Sequence, residues 1–123
     1  MSIPSDLRYT DQHEWVDLNG DIATIGITQY AADSLGDIVF VGLPPIGSSL
    51  ASGQPCGELE STKSVSDLMA PLDGDVVEIN DAVVDDPSLL NSDAMDAWLV
   101  RLKFTAIPVL LDASTYAALV AAG

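Results

Sequence analysis

Lys63 is the residue in this chain whose type and position could carry chemistry. It lies between two runs, 57–60 and 65–69, that are typical of β-strands, so the polar residues between them predict a tight turn with Lys63 at its tip. The ε-amine of a lysine can form a covalent bond to a carbonyl carbon. A projecting turn can also place its lysine in the active site of an enzyme, which a lysine on a flat surface could not reach. The alternative is that Lys63 is an ordinary solvated charge.

Composition fits one folded domain spanning 1–123, because 48% of the 123 residues are hydrophobic. Four basic residues stand against 19 acidic ones, which gives a net charge of −15. Such a chain repels nucleic acid and anionic membranes, and it has no cluster of Lys or Arg to contact phosphates. Basic clefts on other proteins are the expected partners, unless the acidic surface serves only solubility.

The residue sets of conventional enzymes are missing from the sequence. His13 is the only histidine, and it forms no recognisable motif with Cys56, the only cysteine. Neither a Gly-x-Ser-x-Gly elbow nor a glycine-rich phosphate loop is present. Asp81, Asp85 and Asp86 lack the spacing of a calcium-binding loop. The sequence therefore predicts neither a metal site nor an autonomous enzyme.

The expected location is the cytoplasm. Residues 1–6 have no basic n-region or apolar h-region, so no signal or transit peptide is expected. A lone cysteine rules out an intramolecular disulfide and suits a reducing compartment. Cys56 itself is predicted to be a small core residue.

Short strands and short helices are predicted between many glycine, proline and aspartate turns. The strand runs are 22–27, 38–41, 76–79 and 98–102, and the continuous apolar run 38–41 predicts a strand buried on both faces or a barrel wall. Thr28 is a candidate N-cap for a helix that ends before Gly36. Asp86-Pro87 predicts a single helical turn through Leu90, and 112–122 predicts a terminal helix with Tyr116, Leu119 and Val120 at helical spacing.

One internal repeat is visible. The Gly-Asp-apolar run 36–41 returns at 74–79, and applying the same offset to Leu59 and Glu60 reaches Ala97 and Trp98. Two similar β units paired about a pseudo-twofold axis would place the Lys63 hairpin where they join.

Residues 60–67, Glu-Ser-Thr-Lys-Ser-Val-Ser-Asp, resemble the lipoylation hairpin of the glycine cleavage system H protein family. Further similarity follows in order through 9–16, 26–28, 35–44, 71–80, 90–92 and 98–99, and covers about 7–104 plus the terminal helix around 111–116. Two stretches depart from the family pattern. Residues 91–98 lack its Pro-Tyr and Gly-Trp pairs, and the link 104–110, which contains Pro108, is short.

The resemblance implies a mainly β barrel-sandwich hybrid, of the lipoyl and biotinyl carrier type, with short helices and a C-terminal helix. It implies a monomeric, non-catalytic carrier with lipoate joined by an amide to Lys63. The carrier would shuttle the aminomethyl group from the PLP-dependent glycine decarboxylase to the aminomethyltransferase. Dihydrolipoamide dehydrogenase would then reoxidise the dihydrolipoyl group, and a lipoate ligase or lipoyl transferase would have attached it.

The resemblance also assigns roles around Lys63. Glu60 is expected to be recognised by the lipoylating enzyme, while Glu14, Asp67 and Gln12 are expected to line a cleft for the arm. A carboxylate there would favour a cationic amine. The alternatives are an ordinary strand carboxylate for Glu60 and solvated surface for Glu14 and Asp67. His13 is expected to pack or hydrogen-bond near Trp15, and both Trp15 and Trp98 are expected in the core.

Two other interpretations stay open from the sequence: another swinging-arm domain, either a biotinyl carrier or a lipoyl domain of a 2-oxoacid dehydrogenase, and an unmodified interaction protein of the same fold, for instance a lipoate relay. A biotinyl carrier usually has Met on both sides of the lysine, whereas Thr62 and Ser64 stand here. A lipoyl domain of a 2-oxoacid dehydrogenase is usually tethered by long linkers and lacks the His13-Glu14-Trp15 opening. A lipoate relay that serves other complexes would use the same hairpin.

Overall fold

Two antiparallel sheets form the fold of the computed structural model, which describes residues 6–107 and 110–122. The larger sheet has the strand order β1-β2-β3-β9-β8-β5, and the smaller has the order β4-β6-β7. The strands are β1 Arg8–Tyr9, β2 Glu14–Asn19, β3 Ile22–Ile27, β4 Ile38–Gly42, β5 Ser49–Leu50, β6 Pro55–Ser61, β7 Val65–Met69, β8 Asp73–Ile79 and β9 Val100–Ala106. The helices are α1 Gln29–Leu35, α2 Asp81–Asp85, α3 Leu89–Ser92 and α4 Ala113–Ala122. The predicted mainly β barrel-sandwich with short helices and a C-terminal helix is confirmed.

The core lies between the two sheets because each contributes one apolar face. Leu59 and Leu68 from the smaller sheet join Val76 and Leu102 from the larger one in a single cluster. A second cluster holds Tyr9, Trp15 and Tyr116, and the Tyr9 and Tyr116 rings stack with centroids 4.8 Å apart. This second cluster fixes α4 against β1 and β2.

Strand β4 departs from the sequence-based prediction. Ile38 and Val41 are buried, but Val39 and Phe40 are 56% and 44% exposed, so a strand buried on both faces is wrong. The cause is a register shift opposite β6 between Ile38 and Phe40. An extra residue at a β-bulge re-aims the side chains around it. Two consecutive apolar side chains therefore face outward.

Helix α1 forms as predicted. The Thr28 side chain accepts a hydrogen bond from the Ala31 backbone N–H, which satisfies one of the free donors of the first turn. Gly36 ends the helix with φ 80° and ψ −152°, a conformation almost confined to glycine. This end matters because it lies beside Lys63.

The second half of the chain was less predictable. The turn after Asp86-Pro87 exists, but α3 begins only at Leu89. Helix α2 was missed, although Asn80 caps it through a hydrogen bond accepted from the Ala82 N–H.

The two copies of the internal repeat form similar strand pairs, but the second pair is not spaced along the sequence as the offset predicted. β4 pairs with β6 and β8 pairs with β9, both antiparallel. However, α2 and α3 lie between β8 and β9, so β9 begins at Val100 rather than at Ala97 or Trp98.

Several residue predictions can be compared with observed burial. Trp15 is buried, whereas Trp98 is only half-buried and carries the Arg101 guanidinium 4.0 Å from its ring centroid. Cys56 packs against the main core, as predicted, and burial raises its thiol pKa to about 11. Leu119 is 39% exposed despite its helical spacing with buried Tyr116. The link 104–110 was predicted to be short, and Pro108 within it lies outside the described residues.

No helix in the described ranges combines the length and apolarity needed to cross a membrane.

Candidate functional site: the lysine hairpin and its cleft

The turn that carries Lys63 is held by a compact set of hydrogen bonds. Ser61 and Ser64 pair at the end of the hairpin through Ser61 N–H to Ser64 O, at 2.8 Å. The Ser61 hydroxyl oxygen accepts from the N–H groups of Lys63 at 3.2 Å and Ser64 at 3.1 Å. Thr62 N–H donates to Asp37 O at 3.0 Å, which ties the turn to the chain before β4. The backbone of Lys63 is thus fixed while its side chain is exposed.

The Lys63 side chain lies across the C-terminal end of α1. Its Nζ donates to the Ser34 carbonyl at 3.4 Å, and its Cε lies 3.1 Å from the position that a Cβ on Gly36 would take. The ion pairs of the described residues involve Arg101 and Lys103 rather than Lys63. The amine is therefore accessible, and its chain already points over the helix end.

A cleft of about 210 Å³ lies between α1 and the edge strand β7, and its lining includes Ser34, whose carbonyl accepts from Lys63 Nζ. Gln12, Glu14 and Asp67 all line it, so the structure brings together three of the predicted site residues. Its apolar walls come from Ile27, Ala31, Leu35, Leu59 and Leu68. The lining therefore contains both a residue that contacts Lys63, Ser34, and the acidic residue Glu14.

Glu14 is a buried carboxylate with 2% of its surface exposed, which rules out the alternative of solvated surface. Burial raises the pKa of Glu14 to about 7, and Asp11 adds a smaller upward contribution. Two hydrogen bonds oppose this rise: Thr10 Oγ1 donates to Oε1 at 2.6 Å, and Met69 N–H donates to Oε2 at 3.3 Å. The carboxyl group of Glu14 is therefore held in one orientation, and its protonated and ionised forms are both present near neutral pH.

Asp67 lies in the cleft lining but its side chain is exposed. It pairs with Glu58 across the strands, and directly opposed residues place their side chains on one face of a sheet. Hydrogen-bonded and non-hydrogen-bonded pairs alternate along an antiparallel ladder. Since Ser61 and Ser64 form a hydrogen-bonded pair, Asp67 falls at a non-hydrogen-bonded position, with its backbone N–H and C=O directed away from β6. Met69 N–H, two residues on, points the same way and reaches Glu14.

His13 belongs to a network that sequence reasoning missed. Its Nδ1 lies 2.8 Å from the Tyr116 hydroxyl, which lies 2.7 Å from the Thr28 hydroxyl, and Tyr116 packs in the same buried cluster as Trp15. Burial lowers the pKa of His13. Its backbone φ is 66°, an uncommon value for a residue with a side chain. The network joins the cleft, the cap of α1 and helix α4.

Glu60 is half-buried and stands outside the cleft lining. It pairs with both Phe40 on β4 and Val65 on β7, so the three side chains share the outer face of the smaller sheet. Gln12 is exposed, and its N–H donates to the Thr10 hydroxyl.

A second cavity, of about 380 Å³, also includes Glu14 in its lining. Sequence reasoning gave no signal for it, because its walls come from distant segments around Tyr9, Ser52, Met69 and Leu110.

Within the described ranges no group of three or more His, Cys, Asp or Glu residues is arranged to hold a metal ion.

A two-sheet β domain that presents an accessible lysine on a rigid turn, beside an apolar cleft with a buried carboxylate, defines a carrier of a group attached to lysine. Residues 7–122 match the family model described as glycine cleavage H-protein. The chain belongs to this family.

Individual relatives agree. The chain is 56% identical to the glycine cleavage system H protein of Clavibacter sepedonicus over 98% of both chains. It is 44% identical to that of Bacteroides thetaiotaomicron, again over 98% of both. The crystal structure of a glycine cleavage system H protein from Mycobacterium marinum superposes with a TM-score of 0.90 at 48% identity, covering 94% of this chain and 97% of that one. The protein is thus a lipoyl carrier of the glycine cleavage system and not a catalyst, as the sequence predicted.

Proposed function

We propose that Lys63 is the residue to which the lipoyl group is attached. Its place at the tip of the hairpin, with Nζ on the carbonyl of Ser34, a residue that lines the cleft, carries this proposal. Lys103, the other lysine, lies within β9 in the middle of the larger sheet, with its Nζ 3.9 Å from Asp21. A strand position of this kind offers an enzyme no projecting turn.

The residues around the cleft fit such a group. Its apolar walls suit an aliphatic chain, and Ser34 in its lining contacts Lys63 Nζ. When bound, the lipoyl group supplies a disulfide that accepts and releases the one-carbon amine. The protein would hold the lipoyl-lysine arm against α1 and β7 and keep water away from the loaded end of that arm.

Glu14 is proposed to bind the cationic amine at the inner end of the cleft. A positive charge near a buried carboxylate favours the ionised form and lowers its pKa. A protonated amine arriving at Glu14 would therefore favour release of the carboxyl proton to solvent, and its N–H would donate a charge-assisted hydrogen bond to the carboxylate. The outward-directed backbone carbonyl of Asp67 offers a second acceptor, and exposed Gln12 lines the same cleft.

Glu60 is proposed to be recognised by a lipoate ligase or lipoyl transferase, since it lies on the outer face of the smaller sheet, three residues before Lys63. The family name implies the other components of the glycine cleavage system as partners. We assign these as glycine decarboxylase, the aminomethyltransferase and dihydrolipoamide dehydrogenase. The carrier would be a monomer with one domain, 1–123, and would meet these enzymes in the cytoplasm.

Intact mass after reaction with a lipoate ligase, lipoate and ATP tests the attachment, followed by peptide mapping. We expect one lipoyl group per chain, on Lys63, and none on the Lys63→Arg variant. A lipoyl group on Lys103, or an unmodified wild-type protein, would refute the proposal.

A further inference from the structure

The outer face of the smaller sheet is unusually apolar around the lysine hairpin. Val39, Phe40 and Val65 are 56%, 44% and 59% exposed. Antiparallel sheets normally turn a polar face to water and an apolar face to the core. We name Val39, Phe40, Glu60 and Val65 the hairpin face.

Local geometry builds this face. The bulge in β4 turns Val39 and Phe40 outward, and the cross-strand register sets Phe40, Glu60 and Val65 in one row. Gly42 leaves room for the Phe40 ring, because a Cβ there would lie 3.1 Å from Phe40 Cε2 and 3.4 Å from Glu58 Cγ. The ring therefore lies along β4 beside Glu58 and keeps its outer surface free. An aromatic side chain has only two rotatable bonds, so it binds with little loss of side-chain entropy.

The charges around the face have one sign. The charged side chains of β4, β6 and β7 are Glu58, Glu60 and Asp67, all acidic. The nearest cation in the sequence is Lys63 itself, at the hairpin tip. A partner that fits this surface presents an apolar pocket bordered by basic side chains, which is the chemistry that charge complementarity requires.

We propose that the hairpin face is the docking surface for the enzyme that acylates Lys63. This inference rests on Lys63 being the attachment site. The acylating enzyme must bring its own reacting atoms to Nζ of Lys63, at the tip of the hairpin whose two strands carry the Glu60–Val65 pair. The enzymes that use the loaded carrier react at the far end of the lipoyl chain, so they have no such need to contact the base of the hairpin.

Two variants remove the apolar contacts while keeping residues that favour strands: Phe40→Thr and Val65→Thr. Val77→Thr is the matched control, because Val77 is 43% exposed on β8 of the other sheet. The assay is the initial rate of lipoylation by a lipoate ligase with ATP and lipoate, as the carrier concentration is varied. We expect kcat/KM to fall roughly 10-fold for each hairpin-face variant, mainly through KM. The control should stay within about 2-fold of wild type.

Ionic strength gives an independent readout. Wild-type kcat/KM should fall as salt is raised, and Glu58→Gln should flatten that dependence. The urea midpoint of each variant tests whether the fold is intact. If Phe40→Thr folds poorly, the nearly isosteric Val65→Thr still tests the docking proposal.

Each outcome is distinct. Wild-type rates in both hairpin-face variants would overturn the docking proposal and leave Lys63 as the attachment site. Normal lipoylation with an impaired glycine decarboxylase reaction would assign the face to that partner and also overturn it. A wild-type protein without a lipoyl group on Lys63 would instead refute the attachment proposal.

Discussion

Glu14 should make the stability of the unlipoylated protein fall as the pH rises through neutrality. In the unfolded chain its carboxyl has the ordinary pKa of 4.5, whereas burial raises the folded-state pKa to about 7. Between these values the folded protein holds a proton that the unfolded chain has released. Stability from this group is therefore fully present below pH 4.5 and is lost as the pH approaches and passes 7.

The size of this effect follows from the two pKa values. A shift from 4.5 to about 7 corresponds to about 3 kcal/mol in the free energy of unfolding. About 2 kcal/mol of this should be lost between roughly pH 5.5 and 8.5, where the protein can be studied away from its isoelectric point. The hydrogen bonds from Thr10 and Met69 are already included, since both oppose the rise.

Glu14→Gln is the matched variant because its amide has nearly the shape of the carboxyl and stays neutral at every pH. Its carbonyl can accept from Met69 N–H, whereas its NH₂ faces a Thr10 hydroxyl oxygen that already accepts from the Gln12 and Glu14 N–H groups, so the variant carries an offset in stability that does not depend on pH. Urea denaturation of both proteins across that pH range gives the difference in unfolding free energy. The other acidic residues are common to both proteins and cancel.

We expect Glu14→Gln to gain about 2 kcal/mol relative to wild type as the pH is raised. A ¹³C NMR titration of the Glu14 carboxyl carbon should show a midpoint near 7. Parallel stability curves, or a midpoint below the ordinary value, would refute the conclusion that burial dominates the environment of Glu14.

Three further changes test neighbouring parts of the site. Lys63→Arg should abolish glycine cleavage with an unchanged circular dichroism spectrum and urea midpoint; retained activity or an unfolded variant would contradict this. Thr10→Val should raise the pKa of Glu14 further, because it removes a hydrogen bond to the ionised form, and Thr10→Ser should restore the NMR midpoint; equal midpoints in all three proteins would exclude this role. Tyr116→Phe should cost about 1–3 kcal/mol in urea denaturation, since Thr28 and His13 both lose a hydrogen-bond partner, and an unchanged midpoint would count against the network.

Local signals in the sequence predicted much of the frame. Thr28 and Gly36 delimit α1 through a side-chain cap and a left-handed glycine, which depend only on neighbouring backbone. The Lys63 hairpin was equally visible, because its strands and turn lie within one short stretch. The start of α3 was misplaced because Asp86 and Pro87 begin a turn, whereas the α-helix begins at Leu89 and Ser88 before it makes no side-chain cap hydrogen bond.

Exposure on β4 could not be predicted for a different reason. An apolar run has the same composition whether it is straight or bulged, and the bulge depends on the register against β6, about twenty residues away. Val39 and Phe40 therefore read as core in the sequence and lie on the surface in the fold.

The sequence by itself determined the carrier chemistry, because a lysine on a hairpin needs only its own turn to be presented. It also indicated Glu14, Asp67 and Gln12 through family resemblance. Tertiary structure alone decided the environment and the orientation of the residues in the site. Burial between sheets raises the pKa of Glu14, the strand register turns the Asp67 backbone rather than its side chain toward the cleft, and helix α4 brings Tyr116 to His13. Burial, register and long-range contact depend on segments far apart in the chain, so no local pattern encodes them.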